Sequence, residues 1–325
     1  MSITTELERP TLSVVIPCYN EEENAAAIYA ATIAQIEPLG LTFEIIFIDN
    51  ASCDRTVAII KDICARDQRV RLIVNTRNFG QMRSPTHAIY QCRGKAIIGL
   101  CADFQDPPEM IPLFVDRWKA GAKIVLGVRQ TEEKVGVILR TMRKISYWLA
   151  SHFGDYPIVP NATGFGLYDA CVVDAARQLA EPEPFFRGML VETGYKLETI
   201  AYARPPRAAG ASKNDFFALL DFAMSALAGS SKRLLRIPMY LGAFGVVLTL
   251  FMLFGGAVAY ITGKPIAGWL IAAAFQAEWS LMFGFLGLLG DNIRIISERT
   301  RRTPLVLESE RINFPSLQKA NNVTN

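Results

Sequence analysis

Asp103, Gln105 and Asp106 fall close together in the stretch ADFQDPPE, just before Pro107 and Pro108. Oxygen donors of this kind suit a hard cation such as Mg2+ or Mn2+. Such an ion usually takes one or two protein carboxylates and completes its shell with water and substrate phosphates. The same residues could equally cap a turn before the proline pair, and the stretch alone leaves both readings open. Similar polar clusters recur at PCYNEEEN (17–24), DNASCDRT (49–56), NTRNFGQ (75–81) and RQTEEK (129–134). With only two histidines, His87 and His152, no site built on a histidine cluster is available. The six cysteines (18, 53, 64, 92, 101 and 171) include no C-x-x-C pair, which excludes a zinc ribbon or a disulfide framework. They read as reduced thiols in a cytosolic domain. Neither GxxxxGK[ST] nor a GxGxxG after the first apolar run is present. Any bound nucleotide would therefore need a metal and basic side chains to neutralise its diphosphate.

Each polar cluster follows a short apolar run. LSVVIP (12–17), EIIFID (44–49), RLIVN (71–75), AIIGLC (96–101) and IVLGVR (124–129) start 25 to 32 residues apart. Between them lie segments with apolar residues at three-and-four spacing, such as EEENAAAIYAATIAQIEP and DRTVAIIKDICARD. Continuous apolar strands alternating with helices predict a mostly parallel sheet covered on both faces. Such sheets bind ligands beyond the carboxyl ends of their strands, which is where these clusters stand. The chain has 325 residues, 51% hydrophobic and 20% charged, which excludes a disordered protein. A net charge of +3 gives no reason to expect nucleic acid as a partner.

The apolar excess is concentrated near the carboxyl end. Ile237 to Thr262 is a run of 26 residues without a charge, longer than the ~20 needed to cross a bilayer. After Gly263-Lys264-Pro265 a second run, 266–290, is apolar apart from Gln276 and Glu278. Lys232, Arg233 and Arg236 precede the first run, and Arg294, Arg299, Arg301 and Arg302 follow the second, against Lys264 alone between them. The positive-inside rule then puts both flanks in the cytoplasm. The first ten residues do not resemble a signal peptide, so the amino-terminal domain is expected to stay there too. Glu278 near mid-span should face another helix, of this chain or of a second copy, which makes a homo-oligomer through the spans an expectation. The resulting plan has a cytosolic domain (1–210), an interfacial amphipathic segment with a basic flank (211–236), spans at 237–262 and 266–290 joined by 263–265, and a cytoplasmic tail (291–325). Its location would be the cytoplasmic (inner) membrane, as a multi-pass protein.

In this order the motifs resemble family 2 glycosyltransferases of the polyprenyl-phosphate type, the group of dolichol-phosphate mannose synthases and bactoprenol glycosyltransferases. The likeness runs through SVVIPCYNEEEN, EIIFIDNASCDRT, NFGQ, ADFQDPPE, GVR, TGFGLYD, FFRGM and R-x-x-G-x-S-K (207–213) to LGLLGDNIRIISERTRRTP, within residues 13–304. It implies a GT-A-like nucleotide-sugar-binding α/β domain with a mostly parallel sheet, followed by a two-helix transmembrane hairpin. It also implies that Pro17, Tyr19, Asn20 and Glu21 line the base and ribose, that Asp49 reads the base, and that Asn50, Asn78, Gly80 and Gln81 complete the nucleotide site. Asp103 and Gln105 would bind the metal on the donor diphosphate. Arg129 and Arg143 would grip the acceptor phosphate, with Lys213 at the membrane side, and Asp106, Arg187, Arg207 and Ser212 are further candidates. Two positions depart from the family pattern: Asn50 stands where a second Asp is common, and Cys101 replaces the first Asp of a D-x-D pair.

The implied reaction is inverting transfer of a sugar, with UDP as the favoured carrier, to a polyprenyl phosphate such as undecaprenyl phosphate. A phosphate monoester has its second pKa near ~6 and is mostly dianionic at neutral pH, so this nucleophile needs no general base. The alternatives are a processive polysaccharide synthase, whose Q-x-x-R-W motif is absent, and a non-catalytic membrane partner with a degenerate nucleotide site. The charge pattern itself makes a prediction. Reporter fusions at both termini should report cytoplasm, and a tag inserted at Gly263 should be reached from outside; a carboxyl terminus outside the cell would remove the hairpin.

Overall fold

The computed structural model describes residues 9–130, 159–181, 184–203, 205, isolated positions between 268 and 300, and 304–314. Two compact units divide the chain. One comprises 1–136, 159–216 and 304–325, the other 137–158 and 217–303.

In the first unit the five apolar runs form strands β1 (Leu12–Cys18), β2 (Phe43–Asp49), β3 (Val70–Asn75), β4 (Ala96–Gly99) and β5 (Ile124–Arg129). Between them lie helices α1 (Ala25–Ile36), α2 (Thr56–Arg66), α3 (Gly80–Gln91) and α4 (Ile111–Lys119). Strand β6 (Ala162–Asp169), helices α5 (Ala170–Gln178) and α6 (Phe186–Glu192), and strands β7 (Leu197–Tyr202) and β8 (Glu308–Ile312) follow. The eight strands form one sheet in the order β7-β5-β6-β4-β1-β2-β3-β8. Strands β4, β1, β2 and β3 are mutually parallel, and β5 pairs in parallel with β7. Strand β6 runs antiparallel to both β4 and β5, and β8 runs antiparallel to β3.

Successive side chains of a strand point to opposite faces, and here both faces are covered. Val14 and Ile16 join Ile28, Ile60, Ile63 and Phe114 from α1, α2 and α4 on one side. Val15 joins Ile46, Ile48, Ala88, Val172 and Leu190, the last three from α3, α5 and α6, on the other. Residues with an apolar side chain on either face therefore read as unbroken hydrophobic runs. Strand β4 stops at Gly99, short of the run that contains it. The Leu100 N–H still donates to the Val15 carbonyl at 3.0 Å, and the chain leaves the sheet at Cys101.

Because β6 reverses between β4 and β5, β5 points the same way as β4. All these strands then end at one edge of the sheet. The reversal requires close backbone approach: a Cβ on Gly166 would sit 2.2 Å from the Val125 carbonyl oxygen, so only glycine fits there. Strand β8 closes the other margin with a charged segment, as edge strands often do. Asn313 donates from Nδ2 to the carbonyls of Cys64 and Val70, both at 2.8 Å. Arg83 of α3 donates to the carbonyls of Leu305 (2.8 Å) and Pro304 (2.9 Å), and His87 meets Glu308 at 2.6 Å. The segment set aside as a tail thus contains a strand of the sheet.

In the second unit every described position between 268 and 300 is helical. Ile271, Phe275, Met282, Phe285, Leu289, Ile293 and Ile296 are exposed there, recurring largely at three- and four-residue spacing. Among the described residues no helix is long and apolar enough to cross a membrane. The first expected span lies wholly outside the described residues, and the second does so apart from those positions.

Phe114 is fully buried and meets the Phe165 ring edge-to-face, with centroids 4.9 Å apart. Phe114→Ala should cost about 3–5 kcal/mol. Thermal unfolding of the purified full-length protein checks this; an unchanged midpoint would contradict the packing described.

Candidate active site

The loops at the carboxyl edge are joined by side chains rather than by a glycine-rich turn. Asn20, with φ of 54°, donates its backbone N–H to Ser52 Oγ at 2.8 Å and accepts at Oδ1 from the Cys53 N–H at 2.8 Å. The Glu21 N–H donates to Thr56 Oγ1 at 2.8 Å, while Asn24 Nδ2 donates to Glu21 Oε2 at 2.6 Å. Thr56 donates its N–H and hydroxyl to Asp54 Oδ1, at 3.0 and 2.5 Å. Though partial burial opposes it, these bonds and one from the Glu22 N–H hold the Asp54 carboxyl below its ordinary pKa. The loop after β1 and the loop after β2 therefore form one body.

Asp49 is fully buried at the end of β2. The Ser52 hydroxyl donates to its Oδ1, and the Ser52 N–H donates to Oδ2 at 2.9 Å. Burial raises its pKa in spite of these bonds. In this arrangement Asp49 builds the turn after β2. Asn50 is also committed to the protein. Its Nδ2 donates to Asn78 Oδ1 at 2.8 Å and to the Gly80 carbonyl at 3.2 Å, and its Oδ1 accepts from Asn75 Nδ2 (3.1 Å) and the Phe79 N–H (2.9 Å). Asn78 Oδ1 in turn accepts from the Gly80 N–H at 2.8 Å. Gly80 has φ of +84°, a conformation that favours glycine. Of the expected nucleotide residues, Tyr19, Asn78, Gly80 and Gln81 are exposed, Pro17 and Asn20 are half-buried, and Glu21 is buried.

After β4 the chain turns through Phe104, at φ of 60°, with the Gln105 N–H donating to Asp103 Oδ1 at 3.2 Å. Asp103 and Gln105 are both half-buried at the edge. Asp106 points the other way and is only 1% exposed. The Tyr202 hydroxyl donates to its Oδ1 at 3.0 Å, and the Cys101 N–H approaches its Oδ2 at 3.4 Å. Burial raises the Asp106 pKa, and burial together with the Asp106 carboxylate pushes Tyr202 up to about 12. Asp106 is thus an internal carboxylate and not a member of an open ligand set. Among the described residues no group of three or more His, Cys, Asp or Glu could hold a metal ion. A cation here would take Asp103 and Gln105 from the protein and the rest from phosphate or water, a donor set that Mg2+ or Mn2+ accepts. Cys101, exposed where a D-x-D motif has its first carboxylate, is a soft ligand that such ions do not favour.

Arg129 ends β5, beside Tyr202 in the β5–β7 ladder, and its N–H donates to the Asn161 carbonyl at 3.2 Å. Its Nε and Thr163 Oγ1 are buried without a hydrogen-bond partner among the described residues. Buried polar atoms without a partner are costly and uncommon. Arg187 lies over the Phe185 ring at 4.7 Å and donates from Nη1 to the Ala162 carbonyl at 2.8 Å. Ala162 pairs with Val128, which brings Arg187 close to Arg129 in the ladder. Arg143, Arg207, Ser212 and Lys213 lie outside the described residues. Sequence reasoning passed over Ser52, Thr56, Asn75 and Tyr202, small or buried polar residues that each have a partner between 25 and 96 positions away along the chain.

A family model described as glycosyl transferase family 2 matches residues 13–172. Bactoprenol glucosyl transferase of Shigella phage SfX is 31% identical over 307 residues, 92% of this chain and 99% of that protein. The chain belongs to glycosyl transferase family 2. It is a glycosyltransferase, and its sheet is the GT-A-like α/β fold. An uncharacterized glycosyltransferase of Synechocystis is 29% identical over 316 residues, 95% of this chain and 99% of that protein. Among solved structures, glucosyl-3-phosphoglycerate synthase of Mycobacterium tuberculosis, in complex with Mn2+, UDP and phosphoglyceric acid, matches with a TM-score of 0.48 and 18% identity. The match covers 67% of this chain and 76% of that one.

Family 2 members often carry Asp where this chain has Asn50, and the geometry says what that change would do here. An Asp would set a carboxylate oxygen against Asn78 Oδ1 and the Gly80 carbonyl, losing two donated bonds at a site 8% exposed. Asn50→Asp should therefore destabilise by roughly 1–3 kcal/mol, seen as a lower thermal midpoint. A higher midpoint would contradict this account of the loop.

Proposed function

We propose that the chain transfers a sugar from a nucleoside diphosphate sugar, with UDP as the favoured carrier, to a polyprenyl phosphate such as undecaprenyl phosphate. The observation that carries the reading is the arrival of Arg129 at the same sheet edge as Asp103 and Gln105. One site then offers oxygen ligands for a diphosphate-bound cation and a guanidinium for a second phosphate. The printed name of the phage relative, bactoprenol glucosyl transferase, points to the same class of acceptor.

Pro17, Tyr19, Asn20 and Glu21, with Asn78, Gly80 and Gln81, line the donor's nucleoside, and Asp49 and Asn50 hold those loops in place. Asp103 and Gln105 would hold Mg2+ or Mn2+, which would supply charge neutralisation for the leaving diphosphate. Arg129 orients the acceptor phosphate by charge-assisted hydrogen bonds, and Arg143 and Lys213, outside the described residues, are further candidates for the same role. The acceptor phosphate is already dianionic, so no side chain need remove a proton. An oxygen of that phosphate attacks the anomeric carbon as the bond to the diphosphate breaks. The nucleoside diphosphate leaves, and the anomeric configuration inverts. Catalysis then rests on holding two anions together against their repulsion.

The acceptor's hydrocarbon tail stays in the bilayer, so the site must be held at its surface. The uncharged run at 237–262, the run at 266–290 with Glu278 as its one charge, and the exposed apolar positions from Ile271 to Ile296 support an anchor in the cytoplasmic membrane. Both termini would be cytoplasmic, and copies would associate through the spans.

The test is a panel of nucleotide sugars offered with undecaprenyl phosphate, read by mass of the lipid product. One donor should give a lipid-linked sugar, and no product from any donor would overturn the reading. Excess chelator should abolish turnover, and Asp103→Ala should lower it by roughly two orders of magnitude or more. Full activity in chelator would remove the cation.

A further inference from the structure

The loop carrying Asp103 and the strand ending in Arg129 are joined by a buried residue with no role in the family motifs. Tyr202 closes β7, is paired with Arg129 in the ladder, and accepts the Gln130 N–H at its carbonyl at 2.9 Å. Its ring is 6% exposed and packs edge-to-face on Phe165 at 5.4 Å, which rests on Phe114. The hydroxyl donates to Asp106 Oδ1 at 3.0 Å, three residues beyond Asp103. The Arg129 guanidinium lies close enough to interact with both the Tyr202 hydroxyl and the Asp106 carboxylate. A phenylalanine would fill the ring's place in the core equally well. The hydroxyl therefore does something packing does not: it joins a buried carboxylate on the metal-side loop to the strand end that carries the phosphate-side arginine. Arg129 in turn has a negative charge on its protein side, and its Nε has no partner among the described residues.

We infer that Tyr202, through its hydrogen bond to Asp106, is a positioning residue that sets the Arg129 guanidinium relative to the Asp103 loop. It acts on the acceptor phosphate through Arg129 and touches neither substrate. This inference rests on the reading of Arg129 as the acceptor-phosphate residue given above.

The experiment uses the full-length protein and undecaprenyl phosphate, with the donor that the panel identifies. Wild-type turnover comes first; no lipid product there overturns the functional reading and this inference with it. Given turnover, Tyr202→Phe should raise KM for undecaprenyl phosphate about tenfold, the loss of one charge-assisted bond, with KM for the donor within about twofold. Asp106→Asn keeps an oxygen for the Tyr202 hydroxyl but removes the charge facing Arg129, and should show the same lipid-side loss. In an Arg129→Lys background, Tyr202→Phe should change the lipid KM by less than about twofold, since residues acting through one another are not additive. A lipid KM unchanged in Tyr202→Phe, an equal rise in donor KM, or the full tenfold loss in the Arg129→Lys background would each overturn the positioning role. The first of these, with a normal wild type, leaves the functional reading standing.

Discussion

A sheet buried on both faces leaves polar chemistry only one kind of place to go. Strands β1, β2 and β4 are covered by helices above and below, so a charged side chain within them needs partners from the protein itself, as Glu44 has in Ser13, Arg71 and the Arg93 N–H. Where the strands end, backbone and side chains regain access to solvent and to ligands. Because β6 runs antiparallel between β4 and β5, the carboxyl end of β5 joins that edge. The placement of Arg129 at the edge that carries Asp103 depends on this single reversal, which Gly166 accommodates by admitting the backbone of β5.

The part of the edge formed by the loops after β1, β2 and β3 is shaped without the glycine-rich motif that phosphate loops use. Here the loops after β1 and β2 are fixed by side chains: Asn20, Ser52, Asp49, Thr56 and Asp54 satisfy one another's donors and acceptors. The loop after β3 is bound to them by the four bonds of Asn50. A rigid rim of this kind lowers the entropic cost of ordering a nucleotide, because little is left to order on binding. It also means that several polar residues in the motifs have partners within the loops themselves.

The five strands read from apolar runs in the sequence are those observed, since burial on both faces leaves an unmistakable hydrophobic trace. Strand β6 is harder to read because TGFGLYD carries two glycines that serve backbone approach, not propensity. Strand β7, LETIAY, has polar and exposed positions at the sheet margin, and β8, ESERI, is charged as edges are. Nothing local marks β8 as a partner of β3, more than 230 residues earlier in the chain. The motif residues were legible, but their roles were only partly so. Asp103, Gln105 and Arg129 reach the edge, whereas Asp49, Asn50 and Asp106 turn inward. Sequence gives the residue type, and only tertiary contacts decide which way a carboxylate points.

The central claim is that donor and acceptor anions are held by different parts of one edge, with Arg129 on the acceptor side. Two titrations of Arg129→Ala test it most directly: nucleotide binding by calorimetry, and turnover against polyprenyl phosphate concentration. The account expects nucleotide affinity within about twofold of wild type and a roughly ten- to hundredfold weaker use of the lipid, the loss of one bidentate phosphate contact. Lost nucleotide affinity with unchanged lipid dependence would place Arg129 on the donor and contradict the account.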